Sequence, residues 1–209
     1  MALLRRFKAV VFDMDGTLID AQMWHYEALN EALDIFGLSI TMDDHLARFD
    51  GLPTRKKLEV LSEERGLPQF LFSMINEIKQ ERTLRLVSKY CFPRVEQLLL
   101  FQWLQERGVK LAVATNSIRM TSQRMLESAG VWPYLDVVIT NEDVSHPKPH
   151  PEIYQVAAHA LGLDPIDCIA VEDNHFGVES ARSAGCEVLV VDGVEDVRIH
   201  LLEKVLGRG

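Results

Sequence analysis

The chain has 209 residues, with 22 Lys+Arg against 31 Asp+Glu and a formal charge of −9. At about 150 residues per domain this is one large domain, or one domain carrying a smaller second one, and a chain of this size buries a core without disulfide or metal staples. A pI near 5.3 argues against nucleic acid and against an anionic membrane surface as partners, since both select basic proteins.

The N-terminal stretch MALLRRFKAVVFDMDG carries two arginines, but Asp13 and Asp15 interrupt its apolar run and no small-residue cleavage site follows. No secretory leader is expected, and no segment reaches the roughly 18 apolar residues of a membrane span. Ala9–Phe12 (AVVF) is the first of five short apolar runs. The others are Leu111–Ala114 (LAVA), Val137–Thr140 (VVIT), Ile169–Val171 (IAV) and Val188–Val191 (VLVV). None alternates, which predicts strands buried on both faces, as in a parallel sheet.

Residues 21–90 break that rhythm. Trp24, Ala28, Leu29, Ala32, Leu33 and Phe36 recur at helical spacing until Gly37, Thr41 suits the cap of a second short helix, and Leu58, Leu61 and the run Phe70–Val87 add more helix. This predicts an all-helical insertion, 21–90, in a core made of 1–20 and 91–209. Beyond it, Val95–Arg107, Thr121–Ala129, Glu152–Leu161 and His175–Ala184 read as helices, each stopped by a glycine. Strand, helix, strand with short links predicts an α/β fold with a doubly wound, Rossmann-like parallel sheet. Cys91, Cys168 and Cys186 are odd in number and far apart, with no Cys/His zinc spacing. A reduced, cytoplasmic compartment is the expectation.

The chemistry gathers at the strand ends. Asp13 and Asp15 follow the first strand, then Gly16-Thr17. Buried like charges need a cation or a shared proton, and open α/β sheets bind ligands outside the carboxyl ends of their strands. Thr115, Asn116 and Ser117 follow the second run, Lys148 lies inside HPKPHP after the third, and Glu172, Asp173 and Asn174 follow the fourth. Carboxylates, short donors and one lysine on one sheet edge fit phosphoryl chemistry. Mg²⁺ takes carboxylate oxygens and keeps water and phosphate as further ligands, and hydroxyls, N–H groups and a lysine stabilise phosphoryl oxygens. Four acids would repel a phosphate anion without a metal, so a metal requirement is the sharpest expectation.

The motifs Asp13 to Thr17 (DMDGT), the Thr115 strand end, Lys148 and the Glu172-Asp173 pair fall in one order over nearly the whole chain. That set resembles the haloacid dehalogenase superfamily of phosphotransferases. The helical insertion is similar to the small four-helix cap domain of the subgroup containing β-phosphoglucomutase and phosphoglycolate phosphatase. The resemblance implies that Asp13 is a nucleophile forming an aspartyl-phosphate. It implies that Asp15 is the acid/base and lends its backbone carbonyl to Mg²⁺. Asp173 would be a metal ligand, with Glu172 beside it or behind it. Thr115, Asn116, Ser117 and Lys148 would hold the phosphoryl group, and the Lys148–Pro149 bond would be cis. Dehalogenases of the family lack the second aspartate, so Asp15 favours phosphate transfer.

In the cap, His25 resembles a histidine that contacts the acid/base aspartate, against the plainer reading of a half-buried helix residue. Gly51 and Arg55 resemble the substrate-specificity loop, against a solvated helix start for Arg55-Lys56-Lys57. Their spacing, Gly-x-x-x-Arg, departs from the mutase pattern, and Ala21 stands where mutases carry a threonine. His146 and His150 read as packing or surface residues. The expected function is a Mg²⁺-dependent phosphatase, a phosphoric monoester hydrolase acting on a small phosphorylated metabolite, with a sugar phosphate favoured. A β-phosphoglucomutase-like mutase is the alternative. A receiver-like phospho-signalling module ranks below both, because such modules lack the insertion. A monomer is expected, with neither nucleic acid nor membrane as partner.

Overall fold

The computed structural model describes residues 7–206; Met1–Arg6, the start of the stretch weighed as a leader, lies outside the described residues. The chain divides into two compact units, one of residues 1–20 and 92–209 and one of residues Ala21–Cys91. No described helix is long and apolar enough to cross a membrane.

The unit Ala21–Cys91 is helical. It contains α1 (Gln22–Asp34), α2 (Met42–Asp44) running into a π-helical turn at His45–Phe49, α3 (Thr54–Arg65), and a 3₁₀ turn at Gln69–Leu71 that leads into α4 (Phe72–Tyr90). Thr41 caps α2, its hydroxyl oxygen accepting the Asp44 N–H at 3.1 Å. The core is one stripe from each helix, with Leu29, Ala32 and Leu33 against Phe49, Leu58, Leu61 and Ile75. The π turn was not foreseen. It is closed by the Asp50 N–H on the His45 carbonyl at 2.8 Å and buries the His45 ring completely.

The other unit is a five-stranded parallel sheet with helices: β1 (Ala9–Phe12), β2 (Lys110–Ala114), β3 (Val137–Ile139), β4 (Cys168–Glu172) and β5 (Glu187–Val190), in the order β3-β2-β1-β4-β5. Its helices are α5 (Val95–Glu106), α6 (Arg119–Ser128), α7 (Glu152–Ala160), α8 (His175–Ala184) and α9 (Ile199–Leu206). Alternate residues take opposite faces of a strand. Ala9, Val11, Ala112, Ala114, Cys168 and Ala170 form one face and pack with Ile153, Tyr154, Ala157 and Ala181 of α7 and α8. These small side chains let the helices approach closely. On the other face Phe12 stacks on Phe101 of α5 with ring centroids 5.1 Å apart.

Two expectations need correction. The fifth run, Val188–Val191, is not buried on both faces: Val190 is exposed, and Val188 and Leu189 are partly buried like Val137 and Val138 of β3, because β5 and β3 are the edge strands, where the flanking helices cover the sheet less completely than at its centre. The sequence reading also contained no C-terminal helix, yet α9 buries Leu202. The three cysteines are free and buried. Burial pushes the Cys91 and Cys168 thiols up to about 11 and Cys186 to about 12, so all three stay protonated and unreactive near neutral pH.

Candidate active site

The strand order places β1 between β2 and β4. The chain therefore leaves the centre of the sheet in both directions, which opens a crevice outside the strands' carboxyl ends. Asp13 prolongs the ladder, its N–H donating to the Val171 carbonyl at 2.9 Å. The chain then folds back: the Gly16 N–H donates to the Ile19 carbonyl at 2.7 Å, and the Leu18 and Ile19 N–H groups share the Met14 carbonyl, each at 2.9 Å. Gln97, from α5, pins this turn through the Leu18 carbonyl at 2.7 Å. Gly16 has φ of 91°, and a Cβ there would overlap the Asp173 carboxylate. Both the backbone angle and the close approach require glycine.

Lys148 is the hub of the charged centre. Its Nζ lies 2.5 Å from Asp13 Oδ1 and 2.6 Å from Glu172 Oε1, and all three residues are buried. The Tyr154 hydroxyl donates to the same Glu172 oxygen, while its ring lies 5.1 Å from the lysine Nζ, within cation–π range. The α8 backbone runs against Glu172, since a Cβ on Gly177 would overlap its carboxylate. Thr17 donates its hydroxyl to Asp173 Oδ1 at 3.3 Å. Carboxylate oxygens of Asp13, Glu172 and Asp173 lie within 4.8 Å of one another.

The end of β2 supplies the short donors. Ser117 donates its hydroxyl to Asp15 Oδ2 at 2.8 Å and its N–H to Thr115 Oγ1 at 3.0 Å. Asn116 brackets Lys148: its Oδ1 accepts the Lys148 N–H at 3.0 Å and its Nδ2 donates to the Lys148 carbonyl at 3.4 Å. The Lys148–Pro149 bond is cis. All eight core residues singled out in the sequence, Asp13, Asp15, Thr115, Asn116, Ser117, Lys148, Glu172 and Asp173, thus meet at one end of the sheet.

Burial is the largest influence on the Asp13 carboxyl and pushes its pKa well above the usual carboxylate range; Glu172, Asp173 and Asp15 add to it and Lys148 opposes it. Burial works against the charge on Lys148, but Asp13 and Glu172 outweigh it and hold its pKa above the ordinary lysine value. Burial, then Glu172, holds the Tyr154 hydroxyl protonated and so a donor. Four carboxyl groups against one ammonium leave the centre short of positive charge. The donor set is oxygen throughout, which suits a hard cation such as Mg²⁺ better than a soft one.

The three cap residues lie in the helical unit. His25 of α1 has its Nδ1 3.2 Å from the Lys79 Nζ of α4. Gly51 follows the π turn with φ of 73°. Arg55 is 85% exposed, with Nε on Glu59 Oε1 at 3.2 Å. Lys57 departs from the solvated reading of its run, being only 7% exposed. It borders His45, whose ring nitrogens have no hydrogen-bond partner and whose Nε2 stands 3.8 Å from Asp50 Oδ1. Burial first, then Lys57, lowers the His45 pKa to about 4, with Asp50 opposing.

Sequence reasoning passed over Tyr154 and Gly177. An aromatic on an amphipathic helix reads as core, and nothing in α7 distinguishes Tyr154 from Ile153. Gly177 did carry a signal, because a glycine inside a helical run often marks a close approach.

Residues 10–191 match the haloacid dehalogenase-like hydrolase family. A phosphorylated carbohydrates phosphatase of Thermotoga maritima is 32% identical over 182 residues, which cover 86% of this chain and 82% of that protein. The fructose-1-phosphate phosphatase YqaB of Escherichia coli is 29% identical over 187 residues, covering 89% and 97%. Among solved structures, a β-phosphoglucomutase from Clostridium difficile superposes with a TM-score of 0.84 at 20% identity, over 96% of this chain and 97% of that one.

Proposed function

We propose that this chain, which belongs to the haloacid dehalogenase-like hydrolase family and is a phosphoric monoester hydrolase, removes phosphate from a small phosphorylated metabolite through an aspartyl-phosphate on Asp13, with Mg²⁺ bound beside it. The observation that carries this reading is the buried Lys148 ammonium between Asp13 and Glu172, with Asp173 in the same cluster. It supplies a nucleophile, a cation for phosphoryl oxygens and an oxygen-only metal nest at one point.

In the first half-reaction an Asp13 carboxylate oxygen attacks phosphorus and the P–O bond to the alcohol breaks. The Asp15 carboxyl gives its proton to the leaving oxygen. In the second, water attacks the aspartyl-phosphate, Asp15 takes the water proton, and Asp13 is regenerated as inorganic phosphate leaves. Ser117, on Asp15 Oδ2 at 2.8 Å, orients that acid. Lys148 and the Thr115–Ser117 turn face the charge that develops on the phosphoryl oxygens. Asp13, the Asp15 carbonyl and Asp173 would hold Mg²⁺, which supplies further charge to the transferring group when bound. Glu172 acts through Lys148, because its Oε1 already takes the lysine and Tyr154.

The likeness of the two phosphatases supports a sugar phosphate as the substrate class, and the resemblance of their motifs is the ground on which we propose His25, Gly51 and Arg55 as specificity residues. The departures at Ala21 and at the Gly51–Arg55 spacing favour hydrolysis over mutase action. A panel of sugar phosphates with Mg²⁺, read as inorganic phosphate release, tests the proposal. Turnover is expected for at least one ester and should be lost in Asp13→Asn with the fold retained. Interconversion of glucose 1- and 6-phosphates without phosphate release would refute it, as would full turnover by Asp13→Asn.

A further inference from the structure

A second cluster of ligating side chains lies on the loop that carries Lys148. Glu152, the first residue of α7, accepts the backbone N–H of Ser145 at 2.9 Å and of His146 at 3.0 Å. Its Oε2 stands 3.0 Å from His146 Nδ1 and 3.8 Å from His150 Nδ1. The two imidazoles lie 4.6 Å apart, tilted by 37°, and one ligating atom from each of the three residues falls within 4.8 Å of the others. Zinc with N and O bonds of about 2.0–2.2 Å in a tetrahedron sets its ligand atoms roughly 3.3–3.6 Å apart. The two separations from Glu152 Oε2 bracket that range, and His150 Nδ1 also accepts the Glu152 N–H at 3.3 Å, a bond that a metal on that nitrogen would replace.

The backbone beneath these side chains is fixed. The His150 N–H donates to the Pro147 carbonyl at 3.1 Å, Ser180 donates to the His150 carbonyl at 2.6 Å, and Asn116 holds the Lys148 N–H at 3.0 Å. Pro147, Pro149 and Pro151 restrict φ at alternate positions. The ligands are therefore presented on a stiff strap, and the side chains are open to water, which would complete the coordination.

We propose that His146, His150 and Glu152 bind one zinc-class divalent ion, distinct from the oxygen-only centre at Asp13, and that this ion ties together the two ends of the loop bearing Lys148. Two imidazoles and a carboxylate with an open position form a zinc-type donor set. Nitrogen ligands also discriminate against Mg²⁺, which prefers oxygen and retains its waters. Binding requires no turnover, so the inference stands apart from the proposed hydrolysis.

The test is Zn²⁺ titration of the tag-free chain in saturating Mg²⁺, followed calorimetrically. One equivalent should bind, with affinity about tenfold or more weaker in His146→Ala and in His150→Ala, and unchanged in Asp173→Asn. Zn²⁺ should raise the Tm of the parent protein but not of the double histidine variant. Both histidines are exposed, so the metal-free variants should melt with the parent, and His146→Gln serves as a second probe of the same ligand. Unchanged zinc affinity in both histidine variants would overturn the proposal. So would loss of zinc in Asp173→Asn alone, which would place the ion at the Asp13 centre.

Discussion

Tyr154→Phe isolates one hydroxyl in the buried centre. The ring over Lys148 stays, and Glu172 Oε1 keeps the lysine at 2.6 Å, so the carboxylate is not orphaned. What is lost is one hydrogen bond to a charged acceptor, worth about 1.5–3 kcal/mol in general. The surviving lysine contact puts the loss at the lower end, about 1.5–2 kcal/mol. For a chain of this size that lowers Tm by about 3–8 °C. The measurement is urea and thermal unfolding of the chelated protein, so that metal binding does not add to the difference between the variants. Glu172→Gln and the double variant complete a cycle, with a coupling energy of about 1 kcal/mol expected between the two positions. With Glu172 less restrained, Lys148 is held less firmly, so kcat should fall by up to about tenfold, the equivalent of 1.4 kcal/mol. The reasoning fails if Tyr154→Phe lies within about 0.5 kcal/mol of the parent and the cycle shows no coupling.

Three further outcomes follow from the same geometry. Chelation should abolish phosphate release and added Mg²⁺ should restore it, since four carboxyl groups face one lysine; full activity after rigorous chelation would contradict the metal requirement. Gly177→Ala should destabilise the α/β unit by about 1–3 kcal/mol and reduce turnover, because the new methyl meets the Glu172 carboxylate; a variant matching the parent in both Tm and kcat would refute that contact. His45 is held neutral, its pKa lowered from 6.5 to about 4, so unfolding takes up a proton below pH 6.5. Its stabilising contribution is present above that pH and is lost as the pH falls from 6.5 towards 4, at up to about 1.4 kcal/mol per pH unit. His45→Leu should flatten the stability profile over this window, and an unchanged pH slope would remove the assignment.

The motifs were legible because each sits next to a strong local signal. An apolar β-branched run ends, and the polar residues that follow stand at a strand's carboxyl end whatever the rest of the chain does. Asp13, Thr115 and Glu172 were found in this way, whereas Lys148 lies a loop beyond the third run, inside HPKPHP. The helices were equally readable from apolar spacing and their glycine stops, to within two residues at most ends. The π turn at His45–Phe49, the burial of Lys57 and the edge position of β5 were not readable, because each depends on what packs alongside. A lysine near a helix start looks solvated until its neighbours are known, and an apolar strand looks central until the sheet order is known.

The sequence by itself therefore determined the family, the parallel α/β plan, the helical insertion and the residues that meet at the sheet edge. Periodicity and short motifs encode these, and both are local. The tertiary structure alone decided how the charges pair. The sequence contains no statement that Lys148 bridges Asp13 and Glu172, that Tyr154 shares the Glu172 oxygen, or that His146 and His150 converge on Glu152. Those contacts join residues up to 135 positions apart. Their energies depend on distance and burial, which exist only once the chain has folded.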